Sequence, residues 1–346
     1  MRAYLDHNAT APLRAEARDA MIAAMDVVGN PSSVHAEGRA AKGLLEKARA
    51  EVASAFGADG ADVIFTSGAT EAAALALQGR GVQGAGIEHD AVRAWVEEVL
   101  TVGADGMVTV TDPGASTLQI ANSETGIVQE LPEGLLVSDM TQGFGKLPIA
   151  FNWSGATMAL ISAHKLGGPK GIGALVVKRG TDIAAQLKGG GQEMGRRAGT
   201  ENIIGAAGFA AAASAAVRDL SSGVWDRVAN LRDLLEETLA ADAKETIFVG
   251  KGEKRLPNTS CIVTPGWKGE TQVMQMDLAG YAISAGSACS SGKVRASAVL
   301  LAMGFDDSAA SGAIRVSLGP ETTEQEVLGF ARAWLTQEKK FRARAA

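Results

Sequence analysis

Apolar runs of strand length alternate with helical patterns through the first two-thirds of the chain, and this alternation constrains the fold more than any other feature. The run "ADVIFT" has the length and composition of a strand, and "EAAALALQG", which follows it, is typical of a helix. Further runs of strand length are "AGIEH", "STLQIAN", "GLLVSD", "MALISA" and "GIGALVV". Because parallel strands are joined by helical crossovers, the alternation predicts an α/β fold with a mostly parallel sheet.

The pattern changes after residue 222. The segment 226–241, "DRVANLRDLLEETLAA", is amphipathic at helical spacing, and the short strands "TIFVG" and "SCIVT" follow it. These elements are typical of a smaller α+β domain. We therefore predict a large cofactor-binding domain at 15–222, and a small domain formed by 1–14 and 223–346.

Composition and charge exclude several classes of function. A net charge of −6 argues against nucleic acid or an anionic membrane as the main partner. No apolar run approaches membrane-spanning length, and the N-terminal "MRAYLDHNATAPL" has no apolar signal region. Cys261 and Cys289 form neither a disulfide framework nor a CxxC motif, and the 4 histidines show no metal-binding spacing. We expect a cytoplasmic enzyme without a metal site.

A phosphate site is indicated by "FTSGATEAAALAL" (residues 65–77), which combines a strand, a tight turn and a helix. The start of a helix presents unpaired N–H groups and the positive end of the helix dipole, which together suit a phosphate. The hydroxyl groups of Ser67 and Thr70 add possible donors. An ordinary helix N-cap is the alternative interpretation of this motif taken alone.

Two charged side chains follow neighbouring strands of the predicted sheet. Asp139 ends the strand in "LLVSD", and Lys165 comes shortly after the strand in "TMALISA". Ligands of open parallel sheets bind at the carboxyl ends of the strands, so we expect both side chains at one edge. Loss of solvation lowers the pKa of a lysine there and frees its amine as a nucleophile. Taken singly, a satisfied N-cap aspartate and a surface lysine are the alternative interpretations.

Together, the phosphate site, the buried carboxylate and the nucleophilic lysine indicate pyridoxal 5'-phosphate. The aldehyde of this cofactor bonds to a lysine, its ring nitrogen is held protonated by a carboxylate, and its phosphate binds at a helix start. The sequence supplies all three in Thr70, Asp139 and Lys165.

A cysteine loop is predicted in "SAGSACSSG" (residues 284–292), where glycines and other small residues flank Cys289. This composition favours a mobile, exposed loop with a reactive thiol. By contrast, Cys261 in "NTSCIVT" lies in an apolar strand and has the surroundings of a structural cysteine.

Longer motifs run in order along nearly the whole chain: "YLDHNATAPL", "GNPSSVHAEGRAA", "FTSGATEAAALAL", "EHDAV", "SDMTQGFGKLPI", "SAHKLGGPKGIGALVV", "GGGQEMGRRAGTEN", "SAGSACSSG" and "IRVSLGPETTEQEV". Motifs of this length in this order are highly specific. The chain resembles the cysteine desulfurases of the class V aminotransferase family. The resemblance implies the type I pyridoxal-phosphate transferase fold, with a large domain and a smaller C-terminal domain.

The resemblance also implies contacts with the cofactor. Lys165 would bond covalently to the aldehyde, and Asp139 would pair with the ring nitrogen. Gln142 would bond the phenolic oxygen, while His89 would stack on the ring and help to move protons. The phosphate site would combine residues of one subunit with one residue from the other subunit of a homodimer with shared active sites: Ala69, Thr70, Ser162, His164 and the partner's Thr200.

For the substrate, the resemblance implies L-cysteine, with L-alanine and protein-bound sulfur as products. Arg315 would bind the substrate carboxylate as a bidentate fork. Asn122 and Ser123 would also contact the substrate. Cys289 would attack the sulfur of the bound substrate and become a persulfide. The sulfur would pass to an iron–sulfur scaffold or another acceptor protein.

The sequence departs from the family pattern at two places. Relatives usually have a second asparagine where this chain has Ser123, which is shorter and offers one donor. The segment between His89 and Asp139 is also short and leaves room for fewer crossover helices. Two alternatives to a desulfurase therefore stay open. One is a pyridoxal-phosphate enzyme acting on selenocysteine or another amino acid, including an aminotransferase-like enzyme. The other is a non-catalytic paralogue that binds partners.

Overall fold

A computed structural model describes residues 2–286 and 296–345. Cys289 lies outside the described residues. The helices are α1 (Ala15–Met25), α2 (Ala36–Ala55), α3 (Ala69–Leu77), α4 (Asp90–Arg93), α5 (Ile203–Ser221), α6 (Val224–Asp242), α7 (Gly269–Leu278), α8 (Ala298–Ala302), α9 (Asp307–Ser311) and α10 (Glu324–Ala345). The strands are β1 (Ala3–Tyr4), β2 (Asp62–Thr66), β3 (Gln83–Ala85), β4 (Glu97–Val102), β5 (Val108–Thr109), β6 (Val137–Asp139), β7 (Met158–Ser162), β8 (Gly173–Val177), β9 (Ile247–Phe248), β10 (Thr259–Val263), β11 (Tyr281–Ala282), β12 (Ser284–Ala285) and β13 (Ala313–Ser317).

The central sheet has the order β2-β8-β7-β6. An extended segment at 116–120 continues it, because Thr117 pairs in parallel with Val137 and Ser116 with Gln83 of β3. Strand β4 lies parallel to β3. The predicted mostly parallel sheet is therefore confirmed, and the carboxyl ends of β2, β6 and β7 lie at one edge.

Strand β8 is the exception, since it runs antiparallel to both β2 and β7. The connection from β7 to β8 spans only residues 163–172, which is too short for a crossover helix. The first residue of β8, Gly173, lies very close to another segment of the backbone. A Cβ on Gly173 would lie 2.8 Å from the Cα of Gly68, so glycine allows the turn before α3 to lie against this edge of the sheet.

Helices cover both faces of the central sheet. Helices α1, α2 and α5 pack together on one face, and α3 packs on the other against apolar side chains of β2, β7 and β8. Helix α5 is long and apolar enough to cross a membrane by length and composition alone, with a mean hydropathy of 1.4, and 56% of that stretch is buried in the protein. A Cβ on its Gly208 would lie 2.7 Å from Cγ of Met21, so small residues let α5 pack closely on α1.

The C-terminal part forms a four-stranded sheet of order β12-β13-β10-β9. Helices α6, α7 and α10 contribute to an apolar core beside it, which includes Trp267 and Trp334. The N-terminal strand β1 pairs in parallel with β11 of this part, and Leu5 is buried in the same core. These contacts support the assignment of 1–14 to the small domain. The boundaries at 15–222 and 223–346 stay a prediction.

The short segment between His89 and Asp139 contains the four-residue helix α4 and a hairpin of β4 and β5. The hairpin packs towards the small domain. Leu100 joins an apolar cluster with Leu300 and Met303, which belong to α8 and the residue after it. The segment between His89 and Asp139 therefore contributes a hairpin that packs against α8.

Candidate active site

A cavity of about 680 Å³ lies at the edge where β2, β6 and β7 end. It is also lined by residues of the segment 119–123 and of the turn before β8. The structure brings nine of the predicted site residues to its walls: Ala69, Thr70, His89, Ser123, Asp139, Gln142, Ser162, His164 and Lys165. Residues up to 96 positions apart in sequence therefore share one cavity, because the carboxyl ends of the strands meet there.

The first turn of α3 forms one end of the cavity. Thr66 ends β2 and its Oγ1 donates to the carbonyl of Gly68 at 2.9 Å, which closes the turn before the helix. Ser67, Gly68 and Thr70 all line the cavity. The backbone N–H groups and two hydroxyl groups at this helix start provide the donors that a phosphate needs.

Glu71 lies in the same first turn, but its charge is neutralised by Arg197. Its Oε1 accepts from Arg197 Nε at 2.8 Å, and its Oε2 accepts from the N–H of Ser67 at 2.7 Å. Burial acts to raise the pKa of Glu71, and the hydrogen bonds from Arg197 and Ser67 outweigh it, so the pKa is lowered. The paired carboxylate leaves the start of α3 suited to an anion.

Three of the predicted residues lie at the end of β7 and in the 3₁₀ turn that follows it, Ala163–Lys165. Ser162 ends the strand, and His164 and Lys165 belong to the turn. His164 contacts Thr10 through Nδ1 and Oγ1 at 3.2 Å. Burial, together with Lys165 and Lys170, lowers the pKa of His164 to about 4. The imidazole is therefore neutral at physiological pH and can donate one N–H to a ligand.

Lys165 extends along the cavity wall towards the N-terminal segment. Its Nζ donates to the backbone carbonyl groups of Asn8 at 2.6 Å and Ala9 at 3.0 Å. The amine is thus positioned by backbone atoms of a segment that is more than 150 residues away in sequence. Asn8 and Ala9 were not among the predicted site residues.

Asp139 occupies the end of β6 and lines the cavity. Its Oδ1 accepts from the N–H of Thr141 at 2.9 Å. Residues 141–146 form turns and not a helix, so this hydrogen bond closes a turn and Asp139 is not the helix N-cap of the alternative interpretation. The turn uses the Oδ1 atom, and a carboxylate retains acceptor capacity on its second oxygen.

His89 caps the short helix α4 and lines the same cavity. Its Nδ1 accepts from the N–H of Ala91 at 3.1 Å. Because Nδ1 is an acceptor, the proton of the neutral ring is assigned to Nε2. This hydrogen bond fixes the tautomer in which Nε2 can donate.

Glu88 is a buried carboxyl group that sequence reasoning missed, although it lies in the "EHDAV" motif. It is 3% exposed, and its Oε1 accepts from the N–H of Gln119 at 2.8 Å. Burial, with a smaller contribution from Asp139, raises the pKa of Glu88 to about 8 against the hydrogen bond from Gln119. Glu88 is therefore mostly protonated at neutral pH.

We expect Glu88→Gln to stabilise the protein increasingly as the pH rises. The folded protein binds a proton at Glu88 that the unfolded chain releases above pH 4.5, so the wild type loses stability between that pH and about 8. Glutamine keeps the oxygen that accepts from Gln119 and has no proton to lose. Urea unfolding at pH 5, 7 and 9 measures the difference, which we expect to reach on the order of 5 kcal/mol at pH 9.

The matched control for this variant is Glu253→Gln, because Glu253 is exposed. Its free energy of unfolding should follow the wild type at all three pH values. Parallel curves for Glu88→Gln and the wild type would contradict the raised pKa of Glu88.

Asn122 does not line the cavity. Its Oδ1 accepts from the N–H groups of Glu124 and Thr125, both at 2.9 Å, and its Nδ2 donates to the carbonyl of Ile87 at 3.0 Å. The amide is used to hold the turn that presents Ser123. The predicted contact of Asn122 with substrate stays a prediction.

Arg315 lies one residue behind the cavity wall. It is 5% exposed on β13, where it pairs with Asp6 at 2.8 Å and donates to the carbonyl of Ser123 at 3.1 Å. Its Nε has no hydrogen-bond partner within the part of the chain that the structure describes. Arg315 does not itself line the main cavity, and it contacts a lining residue through the Ser123 carbonyl.

Thr200 is exposed and does not line the main cavity. It lies in a neighbouring cavity of about 120 Å³, which shares Ser67 and Gly171 with the main one. The loop before it is held by Glu193, whose carboxylate pairs with Arg49 at 2.6 Å and accepts from the N–H of Phe65.

Backbone strain marks the same loop. Glu193 and Met194 have φ values of 49° and 59°, a region that side chains other than glycine rarely adopt. The buried Glu193–Arg49 ion pair compensates for this conformation. The loop that carries Thr200 is thus anchored to the rest of the chain, while Thr200 itself is exposed.

Within residues 2–286 and 296–345, the structure has no group of three or more His, Cys, Asp or Glu side chains that could hold a metal ion. The cavity instead combines a helix start, a carboxylate and an amine. These are the groups that bind an organic phosphate with a basic ring nitrogen and a carbonyl group.

The family model described as Aminotransferase class-V matches residues 3–96 and 111–330. The chain belongs to the class V aminotransferase family. The unmatched residues 97–110 contain β4 and β5, so the region that departs from the family model is the hairpin in the short segment between His89 and Asp139. The hairpin residues do not line the main cavity.

Relatives in this family are similar over nearly the whole chain. A cysteine desulfurase of Cereibacter sphaeroides is 37% identical, and the alignment covers 94% of this chain and 93% of that protein. An IscS-like cysteine desulfurase of Mycobacterium tuberculosis is 35% identical with the same coverage, 94% and 93%. The crystal structure of a NifS-like protein from Rickettsia africae superposes with a TM-score of 0.88 at 29% identity, covering 98% of this chain and 100% of that one.

Proposed function

We propose that this class V aminotransferase family member is a pyridoxal-phosphate-dependent cysteine desulfurase, which converts L-cysteine to L-alanine and transfers the sulfur to Cys289. The observation that carries the proposal is the placement of Thr70, Asp139 and Lys165 in one cavity. The names of the relatives at 35% and 37% identity support the same activity.

The donor set of the cavity fits pyridoxal 5'-phosphate. The first turn of α3 and the side chains of Ser162 and neutral His164 would hold the phosphate, and Asp139 would keep a proton on the ring nitrogen. Gln142 would donate to the phenolic oxygen, and Lys165 would bond to the aldehyde. When bound, the cofactor supplies an electron sink that stabilises negative charge at the substrate α-carbon.

Two side chains in the cavity would transfer protons during the reaction. Lys165 Nζ, which the carbonyl groups of Asn8 and Ala9 position, would take the α-proton from the substrate. His89 would donate from Nε2, because its Nδ1 is occupied by the N–H of Ala91. Both groups lie on the wall of the same cavity, where they would act on one bound substrate.

Arg315 would bind the substrate carboxylate through N–H groups that Asp6 and Ser123 do not use. The ion pair with Asp6 orients the guanidinium at a buried position. The side chain of Ser123 lines the cavity, while its carbonyl is held by Arg315 and by Asn8 Nδ2 at 3.2 Å. A serine here leaves more room than the asparagine that relatives usually have.

Sulfur transfer requires a soft nucleophile. The thiolate of Cys289 attacks the substrate sulfur, the S–S bond forms as the C–S bond breaks, and the carbon gains a proton to give alanine. The enzyme is left as a persulfide, which a thiol reductant releases as sulfide. Cys289 lies outside the residues that the structure describes, so its role is proposed from the resemblance alone.

A homodimer with shared active sites is part of this proposal. Thr200 is exposed on a loop that two ion pairs, Glu193–Arg49 and Arg197–Glu71, anchor to its own subunit. An exposed hydroxyl on a rigid loop is suited to reach a phosphate in a second subunit. The proposal also includes a cytoplasmic location and an acceptor protein such as an iron–sulfur scaffold.

The test is the product balance with L-cysteine. The purified protein, reconstituted with pyridoxal phosphate and supplied with a thiol reductant, should release alanine and sulfide in equal amounts. Parallel reactions use selenocysteine and, for transamination, L-cysteine with a 2-oxo acid. Faster alanine formation from selenocysteine, or amino transfer to the 2-oxo acid, would favour the alternative enzymes. A cofactor-loaded protein that turns over none of these substrates would favour the non-catalytic paralogue.

A further inference from the structure

A second lysine is buried beside the proposed catalytic one. Lys146, in the loop after β6, is 3% exposed. Its Nζ donates to Gln142 Oε1 at 2.6 Å and to Asn8 Oδ1 at 3.0 Å. Both acceptors are neutral amide oxygens, and Lys146 forms no ion pair with any carboxylate among the residues that the structure describes.

Such a position is unfavourable for a lysine. Burial lowers the pKa of Lys146 well below its usual value, and the charges of Lys165 and Arg315 lower it further. A methionine or leucine would fill the same space without the cost of removing an amine from water. The amine is therefore expected to serve a purpose that an apolar side chain of similar size cannot.

The hydrogen bonds of Lys146 fix the orientation of the Gln142 amide. Because Lys146 Nζ donates to Oε1 of Gln142, it is the amide oxygen and not the nitrogen that faces Lys146. The nitrogen is consequently directed to the other side, where Nε2 donates to the carbonyl of Asn8 at 3.0 Å. Nε2 carries two hydrogen atoms, so one N–H remains for a ligand in the cavity that Gln142 lines.

The same amine also stabilises the backbone that positions Lys165. The carbonyl of Asn8 accepts from both Lys165 and Gln142 Nε2. The Asn8 side chain is held through its Oδ1 by Lys146 and by Asn258 Nδ2 at 3.1 Å, and through its Nδ2 by Thr259 Oγ1 at 2.8 Å. Lys146 thus contacts Asn8, to which this carbonyl belongs, and Gln142, which donates to it.

We propose that Lys146 is a positioning residue, which locks the amide of Gln142 in the orientation that presents an N–H donor to the phenolic oxygen of the cofactor. The inference rests on the proposed function, because it assumes that the main cavity binds pyridoxal phosphate. Lys146 does not line that cavity, and acts through Gln142.

A double-mutant cycle between Lys146→Met and Gln142→Leu tests this role. Pyridoxal phosphate binding and the absorption maximum of the bound cofactor are measured without cysteine, so no turnover is needed. We expect each single variant to weaken cofactor binding by about tenfold. In the Gln142→Leu background, Lys146→Met should weaken it by less than about twofold, because the amide that Lys146 orients is already missing.

Two further variants make the cycle interpretable. Lys47→Met replaces a lysine whose side chain is 74% exposed on α2 and should bind the cofactor as the wild type does. Lys146→Gln keeps an N–H donor but removes the positive charge. It takes the place of Lys146→Met in the cycle if Lys146→Met does not fold.

Each outcome separates the inference from the proposed function. Additive effects in the cycle, or wild-type binding by Lys146→Met, overturn the positioning role while cofactor binding stands. A wild-type protein that does not bind pyridoxal phosphate overturns the proposed function, and the inference with it.

Discussion

Replacing Lys165 with alanine is expected to remove covalent cofactor binding and to lower the rate of alanine formation by about 10³-fold or more. The variant loses both the nucleophile for the aldehyde and the base for the α-proton. The hydrogen bonds from Lys165 Nζ to Asn8 and Ala9 disappear with it, but both carbonyl groups belong to a loop that other contacts hold. Asn8, for example, keeps its bonds with Asn258 and Thr259.

Two measurements check this result. Absorption spectroscopy after reduction with borohydride reports whether the cofactor stays attached to the protein, and product assays report turnover. The control is Lys47→Ala, since Lys47 is exposed on α2 and far in sequence from the cavity residues. If Lys165→Ala retained a borohydride-stable cofactor, another lysine would be the attachment site. Lys170, which also lines the cavity, would then be examined first.

Replacing Cys289 with alanine is expected to lower sulfide release by at least about 100-fold while cofactor binding stays as in the wild type. The proposed thiolate attack has no substitute once the sulfur atom is removed, so C–S cleavage stops after the substrate binds. The measurement compares sulfide and alanine release with the affinity for pyridoxal phosphate. A persulfide trapped by alkylation in the wild type, and missing in the variant, would identify the attacking residue.

Cys261 provides a matched control for this experiment. It is 1% exposed on β10, and burial raises the pKa of its thiol far above the usual value, to which Glu124 adds. A thiol of this kind is not a nucleophile at neutral pH. Cys261→Ala should therefore keep wild-type turnover and lose about 1 kcal/mol of stability through the small cavity it creates. Loss of sulfide release in Cys261→Ala, with Cys289→Ala active, would reverse the two assignments.

Local patterns were sufficient to predict the elements that build the site. The apolar run of β7 and the glycine-rich turn after it placed Lys165 at the end of a strand, and the run of β6 did the same for Asp139. The motif around Thr70 indicated a helix start that proved to line the same cavity. Each of these signals depends on residues within about a dozen positions of one another, so the local periodicity of strands and helices is enough to detect it.

The resemblance to a family extended this prediction to His89, Gln142, Ser162 and His164, which the structure brings to the cavity. It also implied substrate contacts for Asn122, whose amide is used inside a turn, and for Arg315, which donates to the Ser123 carbonyl; neither residue lines the cavity, and both contacts stay predictions. In both cases the residue type is suited to bind substrate. Whether the residue can bind substrate depends on which neighbours already occupy its hydrogen-bonding groups.

The sequence by itself therefore determined the fold class, the order of the strands and helices along the chain, and the identity of the groups at the strand ends. Only the tertiary structure decided that β8 runs antiparallel, that Asp6 pairs with Arg315, and that Lys146 meets Gln142 and Asn8. Asp6 and Arg315 are 309 positions apart, and no local periodicity links them. Such pairs form because folding brings distant segments of the chain together, and their energetics depend on which polar groups are left without a hydrogen-bond partner once they are buried.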